Sequence, residues 1–332
     1  MNSKERFLAA LQRKKTDRPA IGTPTSIVCL DLMDKLGVYF PEGHLKAESM
    51  AALASAGHTL MGFDNVMPLF SVCHESAAVG VETNWGEKSI MPSTLTPIWK
   101  EPEDIKVSKK FLDSPFAQTP LKAIRMMRKE FGENVAITGK AFGPWTLAYH
   151  LVGMEDFLMG SMTDPEKTKK IIAKLKEITV IFMEAQIDAG ADNMLVADHA
   201  TRDLCSPEAY RDFVMPIHKE LAAKMKVPTT LHICGYTLDR IKYINETGLN
   251  AFHYDSKNDD DEMRKAASKV ALLGGTNNTQ LLRSGTEEDI VKDIEKKLKA
   301  GIDVIGPECA IPLDTPLKNM MVFGKYFKAI SF

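Results

Sequence analysis

The sequence predicts an α/β fold, a (β/α)8 or TIM barrel, from two observations. Short apolar runs alternate with longer amphipathic stretches along almost all of the 332 residues. Strands separated by helices favour parallel pairing through crossover connections, and eight such units in one chain favour a closed barrel. The alternative is a doubly wound open sheet. Because no linker interrupts the pattern, we expect one barrel domain over residues 1–332.

Eight segments have the length, composition and flanking turn residues of strands. Their predicted ranges are 20–23, 65–70, 135–139, 193–198, 229–234, 250–254, 270–274 and 303–306. Some of the helices between them have clear ends. Asp164 and Ser206 are predicted N-caps, each followed by a proline at the first helical position. Gly37 and Gly301 fall where glycines that end helices are expected.

Two segments depart from this repeating pattern. Residues 1–15 predict a helix before the first strand, with Ser3 as its N-cap. Residues 77–102 contain several glycines and prolines among β-branched residues, which predicts a β-hairpin inserted after the second strand. This insertion and the long segment 142–160 after the third strand are expected to line a cleft at the barrel mouth.

Composition excludes several classes of protein. Lys and Arg total 42 and Asp and Glu total 44, a formal net charge of −2, which argues against nucleic acid as the main partner. No apolar run reaches the ~18 residues of a membrane span. The N-terminus leads into a helix and not a signal peptide, and the five cysteines are scattered, so we expect free thiols and a cytoplasmic location.

The segment 229–235, Thr-Thr-Leu-His-Ile-Cys-Gly, carries the clearest chemical pattern. Side chains alternate between the faces of a strand, so His232 and Cys234 share one face and Leu231 lies on the other. The apolar face packs against helices. The imidazole and the thiol then point into the barrel at the carboxyl end of the fifth strand, where TIM-barrel active sites lie.

A third residue completes a candidate metal site. Cys309 follows the eighth strand, and only the barrel can bring it to His232 and Cys234. Zinc prefers nitrogen and sulfur ligands, and catalytic zinc usually has three protein ligands and one open position. The alternative is a hydrogen-bonded core histidine beside two small apolar thiols. The remaining cysteines are predicted to be structural: Cys29, Cys73 and Cys205.

Other polar residues are predicted at the barrel mouth. Asp198 and His199 end the fourth strand and are candidate substrate contacts. Further candidates follow strands two, six and seven: Cys73, His74, Glu75, Asp255, Asn277 and Asn278. Four cations are candidate contacts for an anion: Arg18, Lys140, Arg202 and Arg283. For each of these residues, loop capping or surface ion pairing is the alternative role.

Several motifs resemble the uroporphyrinogen decarboxylase family. They are Arg18-Pro19, Gly143-Pro144-Trp145-Thr146, Ser206-Pro207-Glu208 and Pro312-Leu313-Asp314-Thr315-Pro316. The resemblance covers nearly the whole chain and implies a (β/α)8 barrel with the active site in its mouth. Within this family, His232-x-Cys234 with a distant Cys309 resembles the zinc-binding branch, the methylcobalamin:coenzyme M methyltransferases of methanogenic archaea.

This resemblance implies a function and a set of partners. Zinc bound by His232, Cys234 and Cys309 would serve transfer of a methyl group from a methylated corrinoid to the thiol of coenzyme M. Methylcobalamin is then a methyl-donor substrate and not a bound cofactor, and a separate corrinoid-carrying protein presents it transiently. The chain has no Asp-x-His-x-x-Gly motif for carrying cobalamin, which fits a donor held elsewhere.

The sequence also departs from the decarboxylase pattern. Residues 20–25 lack the arginines with which the decarboxylases bind the carboxylates of a porphyrinogen, and residues 66–71 lack their catalytic aspartate. Porphyrinogen decarboxylation is therefore disfavoured. Two alternatives to methyl transfer stay open: a decarboxylase of this family that acts on a small acid, and a non-catalytic scaffold stabilised by zinc.

Overall fold

A computed structural model describes residues 1–330, and eight parallel strands form a nearly closed barrel. The strands are β1 (Ala20–Ile21), β2 (Asn65–Val66), β3 (Ala136–Phe142), β4 (Asn193–Ala197), β5 (Thr229–His232), β6 (Ala251–Tyr254), β7 (Ala271–Thr276) and β8 (Val304–Pro307). From β2 to β8 each strand pairs in parallel with the next, and β8 pairs with β1. The predicted fold class is confirmed.

The first two strands are much shorter than predicted, with two residues each. Pro68 follows β2 closely and cannot donate a ladder hydrogen bond, which agrees with the early end of that strand. In place of a ladder between β1 and β2, the backbone N–H of Asp64 donates to the carbonyl of Ile21 at 2.7 Å. The Asn65 amide also donates to the Thr23 carbonyl at 2.8 Å, so a side chain helps to close the barrel.

Helices surround the strands and fill the connections. The α-helices are Ser3–Ala10, Leu30–Leu36, Glu42–Leu45, Ala47–Thr59, His74–Ala78, Pro115–Phe131, Pro144–Ala148, Met154–Thr163, Pro165–Ala189, Pro207–Ala209, Met215–Lys224, Ile241–Ile244, Asp260–Ala266, Glu287–Ala300, Leu317–Met320 and Val322–Ala329. Short 3₁₀-helices span Pro102–Asp104 and Lys109–Asp113, and π-helical turns span Tyr149–Gly153, Tyr210–Val214 and Asn278–Arg283. No helix within residues 1–330 is long and apolar enough to cross a membrane.

The predicted helix ends are confirmed at four positions. The side chain of Asp164 accepts a hydrogen bond from the backbone of Lys167, and Ser206 caps its helix in the same way. Gly37 and Gly301 end their helices in the left-handed conformation, with φ of 65° and 76°. The sequence therefore located these ends by local chemistry alone.

The amino-terminal helix, Ser3–Ala10, lies beneath the barrel. Its N-cap is Asn2 and not Ser3, because the Asn2 side chain accepts from the Glu5 backbone and the Glu5 carboxylate accepts in return. Arg18 binds the carboxylate of Asp64 at 3.0 Å. Asp64 directly precedes β2, so this ion pair lies at the amino end of the strands, away from the mouth. The candidate role of Arg18 as an anion contact at the mouth is therefore wrong, and the alternative, an ion pair, is what the structure shows.

The segment 77–102 contains a short antiparallel pair, Thr83–Asn84 with Ser93–Thr94. Between these strands, the Trp85 ring stacks on Phe116 with the ring centroids 5.1 Å apart. The backbone N–H groups of Ile98 and Trp99 both donate to the carbonyl of Leu151, in the segment after β3. These contacts tie the insertion to the elements that surround the barrel mouth.

Candidate metal centre

Three potential metal-ligand atoms meet at the carboxyl end of the barrel. Nε2 of His232 lies 3.0 Å from Sγ of Cys234 and 3.4 Å from Sγ of Cys309, and the two sulfurs are 3.4 Å apart. Ordinary zinc–nitrogen and zinc–sulfur bonds in a tetrahedron give edges of roughly 3.5–3.8 Å. The triangle would open only slightly to hold zinc, so these residues fit the metal.

The imidazole of His232 is oriented by the next strand. Its Nδ1 donates to the carbonyl of His253 in β6 at 3.1 Å, which leaves the lone pair of Nε2 directed toward the two sulfurs. The His253 ring is itself buried, and its Nε2 donates to the carbonyl of Pro307 at 2.8 Å, two residues before Cys309. Burial lowers the pKa of His253, so its ring stays neutral in this role.

A glycine in β7 makes room for the His253 ring. Gly274 has φ of +94°, and a Cβ there would lie 2.6 Å from Cδ2 of His253. Any larger residue would both strain the backbone and displace the ring. The bridge from β6 to β8 therefore depends on the absence of a side chain at position 274.

The loops that carry the two cysteines are held by carboxylates. Cys234 lies beyond the paired residues of β5, and the following N–H, that of Gly235, donates to Asp255 at 2.8 Å. Beside Cys309, Glu308 is buried and accepts from the backbone N–H groups of Ser256 at 2.9 Å and Asn278 at 2.8 Å. Both cysteines are thus fixed to the loops that follow β6 and β7.

The thiol pair behaves as one acid–base unit. A hydrogen bond with Cys309 lowers the pKa of Cys234, and the same hydrogen bond raises the pKa of Cys309. A cation bound in the triangle would lower the pKa of both thiols, because both sulfurs bind metal as thiolates.

All three residues lie in the wall of a cavity of about 570 Å³ that occupies the barrel mouth. Its other walls come from the segments after β2, β3 and β4, together with the hairpin. The insertion contributes Met91 and Pro92, and the segment after β3 contributes Thr146, Tyr149, His150 and Met154. The prediction that these two segments line a cleft is confirmed. A ligand in this space can therefore reach the three metal-ligand atoms.

The model of the uroporphyrinogen decarboxylase (URO-D) family matches residues 2–330. The chain belongs to the uroporphyrinogen decarboxylase family. The segment after β2, whose sequence lacks the decarboxylase aspartate, contributes the uncharged side chains of Phe70, Ser71 and Val72 to the cavity wall.

Relatives from Methanosarcina species match nearly the whole chain. The methylcobamide:CoM methyltransferase MtbA of Methanosarcina acetivorans is 30% identical over 323 residues, which cover 96% of this chain and 95% of that protein. The methylcobamide:CoM methyltransferase MtaA of Methanosarcina barkeri is 30% identical over 321 residues, with the same two coverages. A solved structure of a methyltransferase from Methanosarcina mazei matches with a TM-score of 0.94 at 28% identity, over 99% of this chain and 100% of that one.

Asp198 and His199, the predicted substrate contacts, both line the cavity of this URO-D family member, but in different ways. The Asp198 carboxylate is buried and already accepts from the backbone of Thr146 at 2.8 Å and from Nε2 of His218 at 3.1 Å. His199 is exposed to solvent as a residue. Its ring is nevertheless partly enclosed by neighbouring side chains, and this partial burial lowers its pKa. The structure therefore leaves the His199 ring more available to a ligand than Asp198.

Of the four candidate anion contacts, one lies in the wall of the cavity. Lys140 of β3 is buried and lines the cavity. Arg202 is exposed and stacks on Tyr236, and Arg283 pairs with Asp314 at 2.5 Å. Neither arginine lines the cavity, and their contacts agree with the alternative prediction of a surface role.

The remaining candidates are structural. Asn277 donates to the Ser256 hydroxyl and Asn278 to the Ala310 carbonyl, so both connect loops. The other three cysteines are buried, and burial raises their pKa values, to about 11 for Cys29 and about 12 for Cys73 and Cys205. These thiols stay protonated at neutral pH, as the structural prediction requires.

Sequence reasoning missed two residues that position the centre, His253 and Glu308. Each had a local signal. His253 is a polar residue in the middle of an apolar strand, and Glu308 directly precedes the candidate ligand Cys309. A buried polar side chain needs a partner, but the sequence does not show which one.

Proposed function

We propose that this protein transfers a methyl group from a methylated corrinoid to the thiol of coenzyme M, with zinc held by His232, Cys234 and Cys309. The observation that carries this proposal is a nitrogen–sulfur–sulfur triangle in the wall of a cavity. Decarboxylation needs no such triangle. The relatives named as methylcobamide:CoM methyltransferases support the same reaction.

The residues of the centre suit a thiol substrate. His232 is oriented by its bond to the His253 carbonyl, and the two cysteines supply the negative charge that balances a divalent cation. When bound, zinc lowers the pKa of an incoming thiol so that its sulfur is nucleophilic at neutral pH. Apolar walls, including Phe70 and Phe142, exclude water from the sulfur while it attacks the methyl group.

The methyl donor is held outside the cavity in this proposal. A corrinoid is too large to enter a space of about 570 Å³ among packed side chains, so it must lie over the mouth. Its cobalt then presents the methyl group to the sulfur in line, and the bond electrons stay with the metal as Co(I). A corrinoid-carrying protein is the proposed donor, docked only during the transfer.

Methyl transfer itself is tested with purified protein, methylcobalamin and coenzyme M under anaerobic conditions. We expect the methyl thioether of coenzyme M and cob(I)alamin to form in equal amounts. Mass spectrometry measures the thioether, and visible absorption measures the cob(I)alamin. Removing zinc with a chelator should abolish both products, and adding zinc back should restore them. Product formation that survives complete zinc removal would contradict the proposal and favour metal-independent chemistry of this family.

The partner-docking surface is proposed to include the hairpin. Ile90 and Leu95 of the insertion are apolar yet 54% and 52% exposed, beside the cavity-lining Met91 and Pro92. Exposed apolar residues next to an active-site mouth are typical of an interaction site. The net charge of −2 provides little long-range steering, so the complex should be transient and only mildly salt-sensitive.

Charge on the hairpin is expected to weaken docking. Ile90→Asp should slow transfer from a methylated corrinoid protein roughly tenfold, the typical effect of losing one good interface contact, but leave transfer from free methylcobalamin nearly unchanged. Met126→Asp is the matched control, because Met126 is also exposed (39%) but lies on the outer helix Pro115–Phe131. Equal slowing with both donors would show that the hairpin supports the barrel and does not dock the partner.

We also propose that residues 1–332 act as one barrel domain, of which residues 331–332 lie outside the described part. All five cysteines are free thiols in the structure, which supports a reducing compartment, the cytoplasm, as the location.

A further inference from the structure

Lys140 rises from inside the barrel to the level of the metal triangle. In the strand register, Phe142 of β3 is aligned with Ala197 of β4, and Ala197 is aligned with His232 of β5. Lys140 starts two residues, or about 6.6 Å, below that level. Its extended side chain recovers this height, because the ammonium nitrogen lies 4.9 Å from the centre of the Phe142 ring.

The ammonium group and the triangle therefore face the same cavity from strands two positions apart. Neighbouring strands are about 4.8 Å apart, so the β3 and β5 backbones are separated by roughly 10 Å. Inward-pointing side chains shorten that distance. Because both groups border one cavity, a small molecule with a sulfur at one end and an acidic group at the other can contact both.

The charge of Lys140 is poorly compensated within the protein. Its side chain is buried, with 5% of the residue exposed, and its ammonium makes one hydrogen bond, to the Leu69 carbonyl at 3.2 Å. An ammonium group has three donors. In residues 1–330 it forms no ion pair with a carboxylate, and burial lowers its pKa. A buried cation in this state gains from any anion that enters the cavity.

Glu75 is the carboxylate with the strongest electrostatic effect on Lys140, but it is committed elsewhere. One of its oxygens accepts from the backbone N–H of Phe142 at 2.9 Å, and the other has no partner among the described residues. Burial raises the pKa of Glu75 to about 7, so it is only partly ionised at neutral pH. It therefore does not cancel the charge of Lys140.

Lys140 is also the one lysine or arginine among the described residues that line the cavity. His150 and His199 also line the cavity, but burial lowers their pKa values and so favours their neutral forms. An anionic group entering the cavity thus meets one lysine ammonium, carried by β3, two strand positions from the β5 strand that carries His232.

We propose that Lys140 selects acceptor thiols that carry an acidic group, by binding that group while the thiol sulfur binds at the metal centre. This inference rests on the proposed function and names the residue that gives it substrate specificity. A rival role exists for the same charge: Lys140 could act as a counterion of the cysteine sulfurs. That role would affect all thiols alike, whereas selection by charge affects only anionic ones.

The test compares two thiols that share a two-carbon skeleton, anionic 2-mercaptoethanesulfonate and neutral 2-mercaptoethanol. Their dissociation constants are measured by calorimetry on zinc-loaded protein. We expect the wild-type protein to prefer the anionic thiol by about tenfold to a hundredfold, as a charge-assisted hydrogen bond provides. Lys140→Met should reduce this preference to near one with little change for the neutral thiol, and Lys140→Arg should retain part of it.

Each outcome bears on a different statement. A preference that persists in Lys140→Met, with both thiols weakened equally, would overturn selection by Lys140 and favour the counterion role. A wild-type protein that binds both thiols equally overturns selection without any variant, so the test does not depend on the folding of Lys140→Met. A wild-type protein that binds zinc but neither thiol would instead overturn the proposed function.

Discussion

The substitutions Cys234→Ser and Cys309→Ser are each expected to remove most of the bound zinc. The unmodified protein should hold about one zinc per chain, with one nitrogen at roughly 2.0–2.1 Å and two sulfurs at roughly 2.3 Å in X-ray absorption. A serine hydroxyl is a much poorer zinc ligand than a thiolate at neutral pH. Losing even an outer hydrogen-bond partner costs about 10–100-fold in metal affinity, so we expect a larger loss for a ligand.

The fold should survive these substitutions. Both cysteines are only partly buried and lie in loops beyond the strands, whereas the barrel core is built from the apolar strand and helix residues. Cys205→Ser is the matched control, because Cys205 also lies near the mouth but outside the triangle. It should keep its zinc. Full zinc retention in Cys234→Ser or Cys309→Ser, measured by metal analysis, would show that the triangle does not hold the metal.

The second large effect is the release of a proton when coenzyme M binds. A free alkyl thiol has a pKa near ~8.5 and is mostly protonated at pH 7. Zinc binds the deprotonated form, so the zinc-loaded protein should release close to one proton per site. Calorimetry in buffers with different ionisation enthalpies measures this number directly.

The sign of the pH dependence follows from the same linkage. Below the pKa of the free thiol, each unit of rising pH should strengthen binding by up to tenfold, because fewer protons must be displaced. Above that pKa the gain should stop. Zinc-depleted protein should release no proton and show no such slope. Thiol binding that is equally strong without zinc would mean that the metal is structural, as in the scaffold alternative.

Local sequence patterns predicted the fold and the three candidate ligands. Alternation along 229–234 placed His232 and Cys234 on the inward face, and the strand count placed Cys309 at the same end of the barrel. The structure brings these three side chains together because periodicity and strand polarity are properties of short segments, and the parallel barrel then fixes which ends meet. The resemblance to the URO-D family added the reaction and the partner, which spacing alone left open.

Tertiary structure decided which polar residues at the mouth are available. The sequence offered four cations for an anion, and only the folded chain shows that Arg18 pairs with Asp64 at the far end while Lys140 lies in the cavity. Likewise, Asp198 ends a strand as predicted, but its carboxylate is already bonded to Thr146 and His218. Partners so distant along the chain leave no periodic signal that a sequence could display.

The sequence also did not predict the hydrogen bonds that orient the metal centre. The bridge from His232 through His253 to Pro307 joins β5, β6 and β8, and it requires a glycine at position 274 on the strand between them. Each of these residues is unremarkable in its own segment. Sequence determines which side chains face the mouth, because facing depends on local backbone geometry. Only packing between strands determines which of those side chains have partners and which are left free to bind a substrate.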